Sequence, residues 1–275
     1  MTCSWWPLVV VAATVATAAE GVRTTRHAVG GGLELRLLQR DFEGRVLQTG
    51  RSRHRGDGTG TTLWPAALPT LSYVQKLMPA LSAGLDRPLR VLELGAGCGL
   101  LGLGLACSGA DVLLTEGRFD LGDGTTSFDW LEANVGANGD AVRGGSAACA
   151  PLNWGDAADC AAIDDAHPRG FDVVVGSDLL YVPEAHGALH DTLVRFAATT
   201  DEAATRRDDP PAAVIGYNVR NGSELRFGAD SDMLSVTQEV VYGAPSKPGK
   251  NPVSKTVSLF RLTPAARDSR NSRRA

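Results

Sequence analysis

The stretch Val91-Leu92-Glu93-Leu94-Gly95-Ala96-Gly97-Cys98-Gly99-Leu100 decides the fold of this chain. An apolar strand ends where three glycines alternate with small residues, and an apolar helix follows at once. A glycine turn between a strand and a helix lets the backbone approach a ligand closely, and the start of the helix favours negative groups. A dinucleotide-binding fingerprint would need glycine at position 100, where this chain has leucine. The spacing therefore disfavours a nicotinamide-dependent oxidoreductase.

Two acidic residues accompany these glycines. Glu93 lies two positions before Gly95, where a carboxylate repels a pyrophosphate and attracts a cation. S-adenosylmethionine carries an ammonium and a sulfonium and no phosphate, so it matches this pattern. Glu116 ends the next predicted strand, where doubly wound folds place an acid that holds ribose hydroxyls. The alternative for Glu116 is a solvated residue in a loop.

Strands and helices alternate along most of the remaining chain. We predict strands at 90–94, 111–116, 171–176, 212–219, 235–242 and 253–262, and helices at 63–81, 100–108, 127–138 and 183–198. Ser127 is the predicted N-cap of the third helix. The earlier stretch 33–47 predicts two short strands around a turn at 41–44. Alternating strands and helices favour an α/β fold whose mostly parallel sheet is covered by helices on both faces and closed by an antiparallel pair.

Composition narrows the function classes. The 275 residues are 43% hydrophobic and 21% charged, which is typical of a globular protein with a core and excludes collagen, coiled-coil and fully disordered chains. The formal net charge of −4 gives no electrostatic footprint for nucleic acid. The five cysteines form no CxxC pair and have no histidine at zinc spacing, so we predict no metal site. The basic cluster that stands out is the C-terminal one, formed by Arg267, Arg270, Arg273 and Arg274.

The first twenty residues differ in composition from the rest. Residues 5–18 are uncharged but shorter than the roughly 20 residues that a membrane-spanning helix needs, so we expect no stable membrane span. Ala16-Thr17-Ala18 has the small-x-small pattern of a signal-peptidase site. Two interpretations of 1–20 stay open, a cleaved targeting segment and an apolar segment that packs or frays. The compartment is cytoplasmic if the segment is retained, and secretory or organellar if residues 1–18 direct export.

Five segments resemble those of one known family and occur in its order. They are Gly60-Thr-Thr-Leu-Trp-Pro-Ala-Ala67, the glycine loop at 91–104, Trp130-Leu-Glu-Ala-Asn-Val-Gly-Ala-Asn138, Leu152-Asn-Trp-Gly155 and Phe171-Asp-Val-Val-Val-Gly-Ser-Asp-Leu-Leu-Tyr181. They resemble the seven-stranded S-adenosylmethionine-dependent methyltransferases, and within them methyltransferase family 16, the protein-lysine methyltransferase group. The resemblance covers about residues 58–262. It implies a class I (Rossmann-like) sheet with strand order 3-2-1-4-5-7-6 and an antiparallel seventh strand.

The resemblance also implies a set of site residues. Contacts with S-adenosylmethionine would come from Trp64, Glu93, Gly95, Gly97, Glu116 and Trp154, the last covering the adenine. The family's Asp-x-x-Tyr signature is Asp178-Leu-Leu-Tyr181, which we expect to be catalytic. Asp178 would hold the incoming ammonium or orient the amine, and Tyr181 would form a wall of the lysine channel. The alternatives are a cap for the helix at Pro183 and a core aromatic residue. Asn153 departs from the family, which usually has aspartate there.

The sequence therefore predicts methyl transfer from S-adenosylmethionine to a lysine ε-amine of a protein substrate, by in-line displacement. A small-molecule methyltransferase and a non-catalytic cofactor-binding module are the alternatives. Nucleobase methyltransferases of this fold carry Asn-Pro-Pro-Tyr where this chain has residues 178–181, so we expect no nucleic-acid partner. No serine lies on a Gly-x-Ser-x-Gly elbow, and we expect His186 and His190 to be exposed helix positions rather than metal ligands. We divide the chain into an N-terminal extension with a short hairpin (21–57), the methyltransferase domain (58–263) and a disordered basic tail (264–275).

Overall fold

The computed structural model describes residues 21–40, 58–197, 212–218, 227–228, 230–241 and 255–262. The strands are β1 (Val22–Gly30), β2 (Leu33–Arg40), β3 (Arg90–Leu94), β4 (Asp111–Glu116), β5 (Ser146–Pro151), β6 (Val173–Ser177), β7 (Ala213–Asn218), β8 (Leu234–Val241) and β9 (Lys255–Leu262). The helices are α1 (Ala67–Leu81), α2 (Leu100–Cys107), α3 (Ser127–Ala137), α4 (Ala157–Ala166) and α5 (His186–Ala197). None of these helices is long and apolar enough to cross a lipid bilayer.

Seven of these strands form one sheet, in the order β5-β4-β3-β6-β7-β9-β8. The strands from β3 to β7 pair in parallel, whereas β9 runs antiparallel to both β7 and β8. This arrangement confirms the predicted α/β class and the mostly parallel sheet. The hairpin of β1 and β2 forms a separate two-stranded sheet.

Apolar cores lie on both faces of the sheet. Every residue of β3 is buried, as expected of a parallel strand between two layers of helices. Val91 belongs to a core that includes side chains from α1, α2 and the hairpin, whereas its neighbour Leu92 belongs to a core with side chains from α4 and α5. The carboxyl end of this central strand is therefore held from both sides, which fixes the glycine loop that follows it.

The structure corrects several predicted boundaries. Residues 33–40 form a strand as predicted and pair with residues 22–30, which were not predicted as a strand, whereas the predicted turn at 41–44 and the strand after it lie outside the described part. The strand β1 was missed because it is mostly polar and gives little hydrophobic signal. The turn Gly30-Gly31-Gly32, whose three φ angles are all positive, connects it to β2. The N-cap of α3 is Thr126, not Ser127, because the Thr126 and Asp129 side chains form a capping box. Helix α1 begins at Ala67 rather than at 63.

Besides β1, one strand of the large sheet and one helix were not predicted. The strand β5 reads Ser-Ala-Ala-Cys-Ala-Pro and contains no β-branched or aromatic residue, so it carries little strand propensity of its own. The hydrogen bonds of its parallel pairing with β4 stabilise the strand in place of local strand propensity. The following helix α4 is alanine- and aspartate-rich, and Asp156 caps it by accepting hydrogen bonds from the backbone N–H groups of Ala158 and Asp159.

Two asparagines on one face of α3 hold the hairpin against the domain. The Asn134 side chain accepts a hydrogen bond from the Leu38 backbone N–H (2.7 Å) and donates one to the Leu38 carbonyl (3.2 Å). Asn138 makes the same pair of bonds with the Arg36 backbone, both at 2.8 Å. The asparagines are four residues apart and the strand residues two apart, so a helix face covers the edge of β2. The paired asparagines thus attach the N-terminal extension.

We expect Asn134→Ala to lower the free energy of unfolding by about 2 kcal/mol, because it leaves the N–H and C=O of Leu38 without their partner. The measurement is urea unfolding followed by circular dichroism. Asp140→Ala, which removes an exposed side chain just after the same helix, serves as the control. Equal stability of the two variants would contradict the assigned attachment.

Candidate active site

The glycine loop between β3 and α2 has little room around it. Gly95 and Gly97 have φ angles of +56° and +53°, a region that residues with a side chain rarely adopt. A Cβ atom on Gly95 would lie 2.8 Å from Leu179 Cδ2 and 3.1 Å from Trp154 Cζ2. Residues that follow β5 and β6 therefore meet the loop at Gly95.

Glu93 lies behind this loop. Its side chain is buried, and Oε2 accepts a hydrogen bond from the Gly102 backbone N–H of α2 at 2.9 Å. A Cβ atom on Gly102 would lie 2.4 Å from that oxygen, so glycine is needed there. Burial, reinforced by the nearby Glu116 charge and opposed by the Gly102 bond, raises the pKa of the Glu93 carboxyl well above its usual range. One oxygen of the Glu93 carboxyl therefore faces α2 and braces the helix that follows the loop, and the contact of Glu93 with a ligand stays a prediction.

Glu116 reaches the loop from the end of β4. Its Oε2 accepts a hydrogen bond from the Gly97 backbone N–H at 2.8 Å, and the residue is 7% exposed. Gly60 approaches the same carboxylate, because a Cβ atom there would lie 3.3 Å from Glu116 Oε1. The carboxylate predicted to hold ribose hydroxyls thus lies between the glycine loop and the segment around Gly60.

That segment, residues 58–66, is called here the Trp64 segment. The Trp64 indole Nε1–H donates a hydrogen bond to the Thr59 carbonyl (2.9 Å), and its ring stacks on Tyr181 at 6.1 Å between centroids and 18° between planes. The hydroxyls of Thr59 and Tyr181 are 3.2 Å apart. The Cys98 thiol of the glycine loop contacts the Gly60 carbonyl at 3.8 Å. The stacked rings of Trp64 and Tyr181 are called the Trp64–Tyr181 wall. The Trp64 segment therefore joins this wall to the glycine loop.

Asp178 holds the end of the Trp64 segment. Its Oδ2 accepts a hydrogen bond from the Ala66 backbone N–H (2.8 Å), at the start of α1, and its Oδ1 accepts one from the Asn218 backbone N–H (3.1 Å). Its φ of +55° is the one positive value at a non-glycine residue in the described part of the chain. Such a conformation persists where the surroundings hold it in place.

This position changes the role expected of Asp178. The residue is 3% exposed, and both carboxylate oxygens accept bonds from the protein backbone, so the contacts that the structure shows are structural ones, and the hold on a substrate ammonium stays a prediction. The alternative of a cap for the helix at Pro183 is wrong, because that helix has no side-chain cap and the carboxylate bonds the start of α1 instead. Asp178 ties the Trp64 segment to the ends of β6 and β7.

The adenine side predicted from the sequence contains Asn153. Its backbone N–H and its Nδ2 both donate to Asp159 Oδ2, at 2.8 and 3.1 Å. With the amide nitrogen held in this way, Oδ1 is the remaining acceptor, and a Cβ atom on Gly117 would lie 3.0 Å from it. Phe119, 49% exposed, packs against Gly117. Phe119 was not among the predicted site residues, although an aromatic residue in the loop after Glu116 is visible in the sequence.

His190 and Ser231 are close enough to form the histidine–serine pair of a hydrolase, but the serine oxygen is not available as a nucleophile. His190 Nε2 lies 2.7 Å from Ser231 Oγ, and its Nδ1 lies 3.2 Å from Asp191. The serine oxygen also accepts bonds from the backbone N–H groups of Met233 and Leu234, so its lone pairs are engaged in a turn. His186 bonds the Leu180 carbonyl, so both histidines are half-buried rather than exposed as predicted. No metal-binding group of three or more His, Cys, Asp or Glu occurs among the described residues.

All eight predicted site residues lie together. The glycine loop contains Gly95 and Gly97, and it is flanked by Glu93, Glu116 and Trp154. The Trp64 segment connects this loop to Tyr181 and Asp178. In open α/β sheets, ligands bind in the crevice beyond the carboxyl ends of the strands, where these residues lie.

Known proteins match the same part of the chain. The sequence model of a family described as lysine methyltransferase matches residues 47–227. Protein N-lysine methyltransferase METTL21A of Danio rerio is 31% identical over 67% of this chain and 72% of its own length. EEF1A lysine methyltransferase 3 of Mus musculus is 32% identical over 50% of each chain, so this chain spans half of that relative.

Among solved structures, magnesium protoporphyrin IX methyltransferase from Synechocystis PCC 6803 with bound S-adenosylmethionine aligns over 70% of this chain and 80% of its own, with 16% identity and a TM-score of 0.43. The family match covers more than half of the chain and includes the glycine loop, Trp64, Asp178 and Tyr181. This chain belongs to the lysine methyltransferase family.

Proposed function

We propose that this protein transfers the methyl group of S-adenosylmethionine to a lysine ε-amine of a protein substrate, on a class I methyltransferase sheet. Membership of the family and the names of the two relatives support the reaction and the substrate class. The observation that carries the proposal is the connection of the glycine loop to the Trp64–Tyr181 wall through one short segment. A cofactor loop and an aromatic wall for the acceptor are thereby joined in one crevice.

The residues around the loop suit S-adenosylmethionine. Gly95 and Gly97 give the loop its positive-φ conformation, and the charged side chains that bond to the loop and the helix after it are the carboxylates of Glu116 and Glu93 rather than the cations that a pyrophosphate needs. Glu116 would accept hydrogen bonds from ribose hydroxyls, and Asn153 Oδ1 would accept one from the adenine amino group. Trp154 and Phe119 would flank the adenine ring, and Glu93 would hold the loop from behind. When bound, the cofactor supplies an electrophilic methyl group.

The substrate side must deliver a neutral amine. A lysine ammonium has to lose its proton before its lone pair can attack. Exclusion of water beside the Trp64–Tyr181 wall disfavours the charged form, because burial lowers the pKa of an amine. Trp64 and Tyr181 would therefore line the path of the lysine side chain and keep water from it. Asp178 would act as a positioning residue that fixes this wall.

The proposal is tested with the full chain, methyl-tritiated S-adenosylmethionine and a cell extract. Products are separated on a gel and hydrolysed to amino acids. A labelled protein band that yields methyl-lysine supports the proposal. Label confined to the small-molecule filtrate would favour a small-molecule methyltransferase. Cofactor binding without any label would favour a non-catalytic module.

We expect Glu116→Ala to raise the Kd for S-adenosylmethionine about tenfold or more, since a charge-assisted hydrogen bond to a hydroxyl is lost. Glu116→Gln, which still accepts the Gly97 bond but carries no charge, should show most of this effect. Isothermal titration calorimetry measures both. Asp165→Ala, which removes an exposed carboxylate on α4, is the control. An unchanged Kd in both Glu116 variants would reject the ribose assignment.

A further inference from the structure

Thr59 contacts both aromatic residues of the wall. Its carbonyl accepts the hydrogen bond of the Trp64 indole at 2.9 Å, and its hydroxyl lies 3.2 Å from the Tyr181 hydroxyl. It begins a short 3-10 turn, Thr59–Thr61, that follows Gly58 at a φ of +74°. In that turn the Thr61 N–H and hydroxyl both donate to the Gly58 carbonyl, at 3.0 and 2.7 Å. Thr59 therefore sits on a braced piece of backbone.

The hairpin and the body of the domain fix this segment further along the chain. The Leu63 N–H donates to the Gln39 side chain at 3.0 Å, and the Thr62 hydroxyl donates to the Arg40 carbonyl at 3.1 Å. At the other end, Ala66 is bonded to Asp178. The Thr59 hydroxyl thus meets Tyr181 from a segment that the hairpin and Asp178 hold, and not from within the 3-10 turn Leu179–Tyr181 that carries Tyr181 itself.

A tyrosine hydroxyl has one hydrogen and two lone pairs, which turn together about the bond between the ring and the oxygen. A hydrogen-bond partner at a fixed position restricts that rotation. The aromatic ring of Tyr181 is stacked on the indole of Trp64. Thr59 therefore contacts the hydroxyl end of the ring whose face Trp64 covers.

We infer that Thr59 is a positioning residue for the acceptor amine, which it orients through the Tyr181 hydroxyl. This inference rests on the proposed function and on the place of Tyr181 in the lysine channel. The contact with Thr59 places the Tyr181 hydroxyl at the wall, where it orients the amine nitrogen for in-line transfer. Loss of the Thr59 hydroxyl removes this contact, which affects the transfer step more than substrate binding.

The test is a double-mutant cycle in the full chain. Thr59→Val removes the hydroxyl and keeps the side-chain shape, Thr59→Ser keeps the hydroxyl, and Tyr181→Phe removes its partner. We expect Thr59→Val to lower kcat about tenfold, the size of one lost hydrogen bond, with little change in KM for either substrate. Thr59→Ser should retain most of the activity. In the Tyr181→Phe background, Thr59→Val should have no further effect, since the interaction is already gone.

Two results would overturn the inference while leaving the proposed function in place. One is a Thr59→Val loss that is equally large in the Tyr181→Phe background, and the other is a Thr59→Ser variant as slow as Thr59→Val. The affinity of each variant for S-adenosylhomocysteine shows that it is folded, and Thr59→Ala replaces Thr59→Val if valine disturbs the turn. A wild-type chain that binds cofactor but labels no protein would instead reject the proposed function, and this inference with it.

Discussion

Asp178→Asn lowers kcat for methyl transfer about 100-fold, the size of effect that a small misplacement of reacting groups produces. Asparagine keeps the volume and tolerates the positive φ of this position. It replaces one acceptor oxygen with an NH₂ group, which then faces either the Ala66 N–H or the Asn218 N–H. Ala66 is 1% exposed, so its N–H has no water to bond when the acceptor is lost. The Trp64 segment should then loosen, while the glycine loop keeps its contacts with Glu116 and the cofactor.

Two measurements separate this positioning role from direct contact with the substrate. Amide hydrogen exchange at Ala66 should become faster in Asp178→Asn, and the Kd for S-adenosylhomocysteine should stay close to the wild-type value. A group that only touched the substrate ammonium would leave exchange at Ala66 unchanged and raise KM for the protein substrate. Full activity in Asp178→Asn would reject both roles. Asp191→Asn, which neutralises an exposed carboxylate on α5, is the matched control.

The centre of the fold could be predicted from the sequence because its signals are local. The strands at 90–94 and 111–116 are short apolar runs that end at a glycine loop and at an acidic residue, and β3 and β4 have those bounds. Glycine alternation needs no tertiary information, because the backbone angles themselves demand it. The edge strand β5 was missed for the opposite reason, since small residues gain their strand structure from a neighbour.

The sequence predicts that Glu93 and Asp178 lie near the crevice, but it does not give the orientation of their carboxylates. Both are acidic residues beside the crevice, and from the sequence either could face it. Their orientation depends on backbone N–H donors, Gly102 of α2 for Glu93 and, far away in sequence, Ala66 at the start of α1 for Asp178. A buried carboxylate turns toward whichever donors the packing supplies, because an unpaired one is costly. Motif spacing identifies the residue, whereas its partner is set by how α1 and α2 pack on the sheet.

The second large effect concerns stability at the opposite end of the same strands. Asp172, just before β6, is fully buried at its side chain, and its carboxylate accepts two bonds from the Arg87 guanidinium at 2.7 and 3.0 Å. It also accepts the Arg90 backbone N–H at 2.8 Å and lies 3.5 Å from the Arg90 guanidinium. We expect Asp172→Asn to lower the free energy of unfolding by about 3 kcal/mol at pH 7, because two largely buried arginines lose their counter-charge.

The pH dependence of this loss is the sharper prediction. Although burial acts to raise the pKa of the Asp172 carboxyl, the bonds and charges of Arg87 and Arg90 outweigh it and hold the pKa below its ordinary value. A depressed pKa in the folded state stabilises the protein above the unfolded-state pKa of about 3.9 and ceases to do so as the pH falls through the folded-state value. In urea unfolding, wild type and Asp172→Asn should therefore differ at pH 7 and at pH 5 and converge in stronger acid. The control is Asp86→Asn, which changes an exposed residue nearby. Its difference in stability from wild type should not depend on pH in this way. A difference between wild type and Asp172→Asn that is constant across this range would mean that the shape of the side chain, not its charge, holds the two arginines.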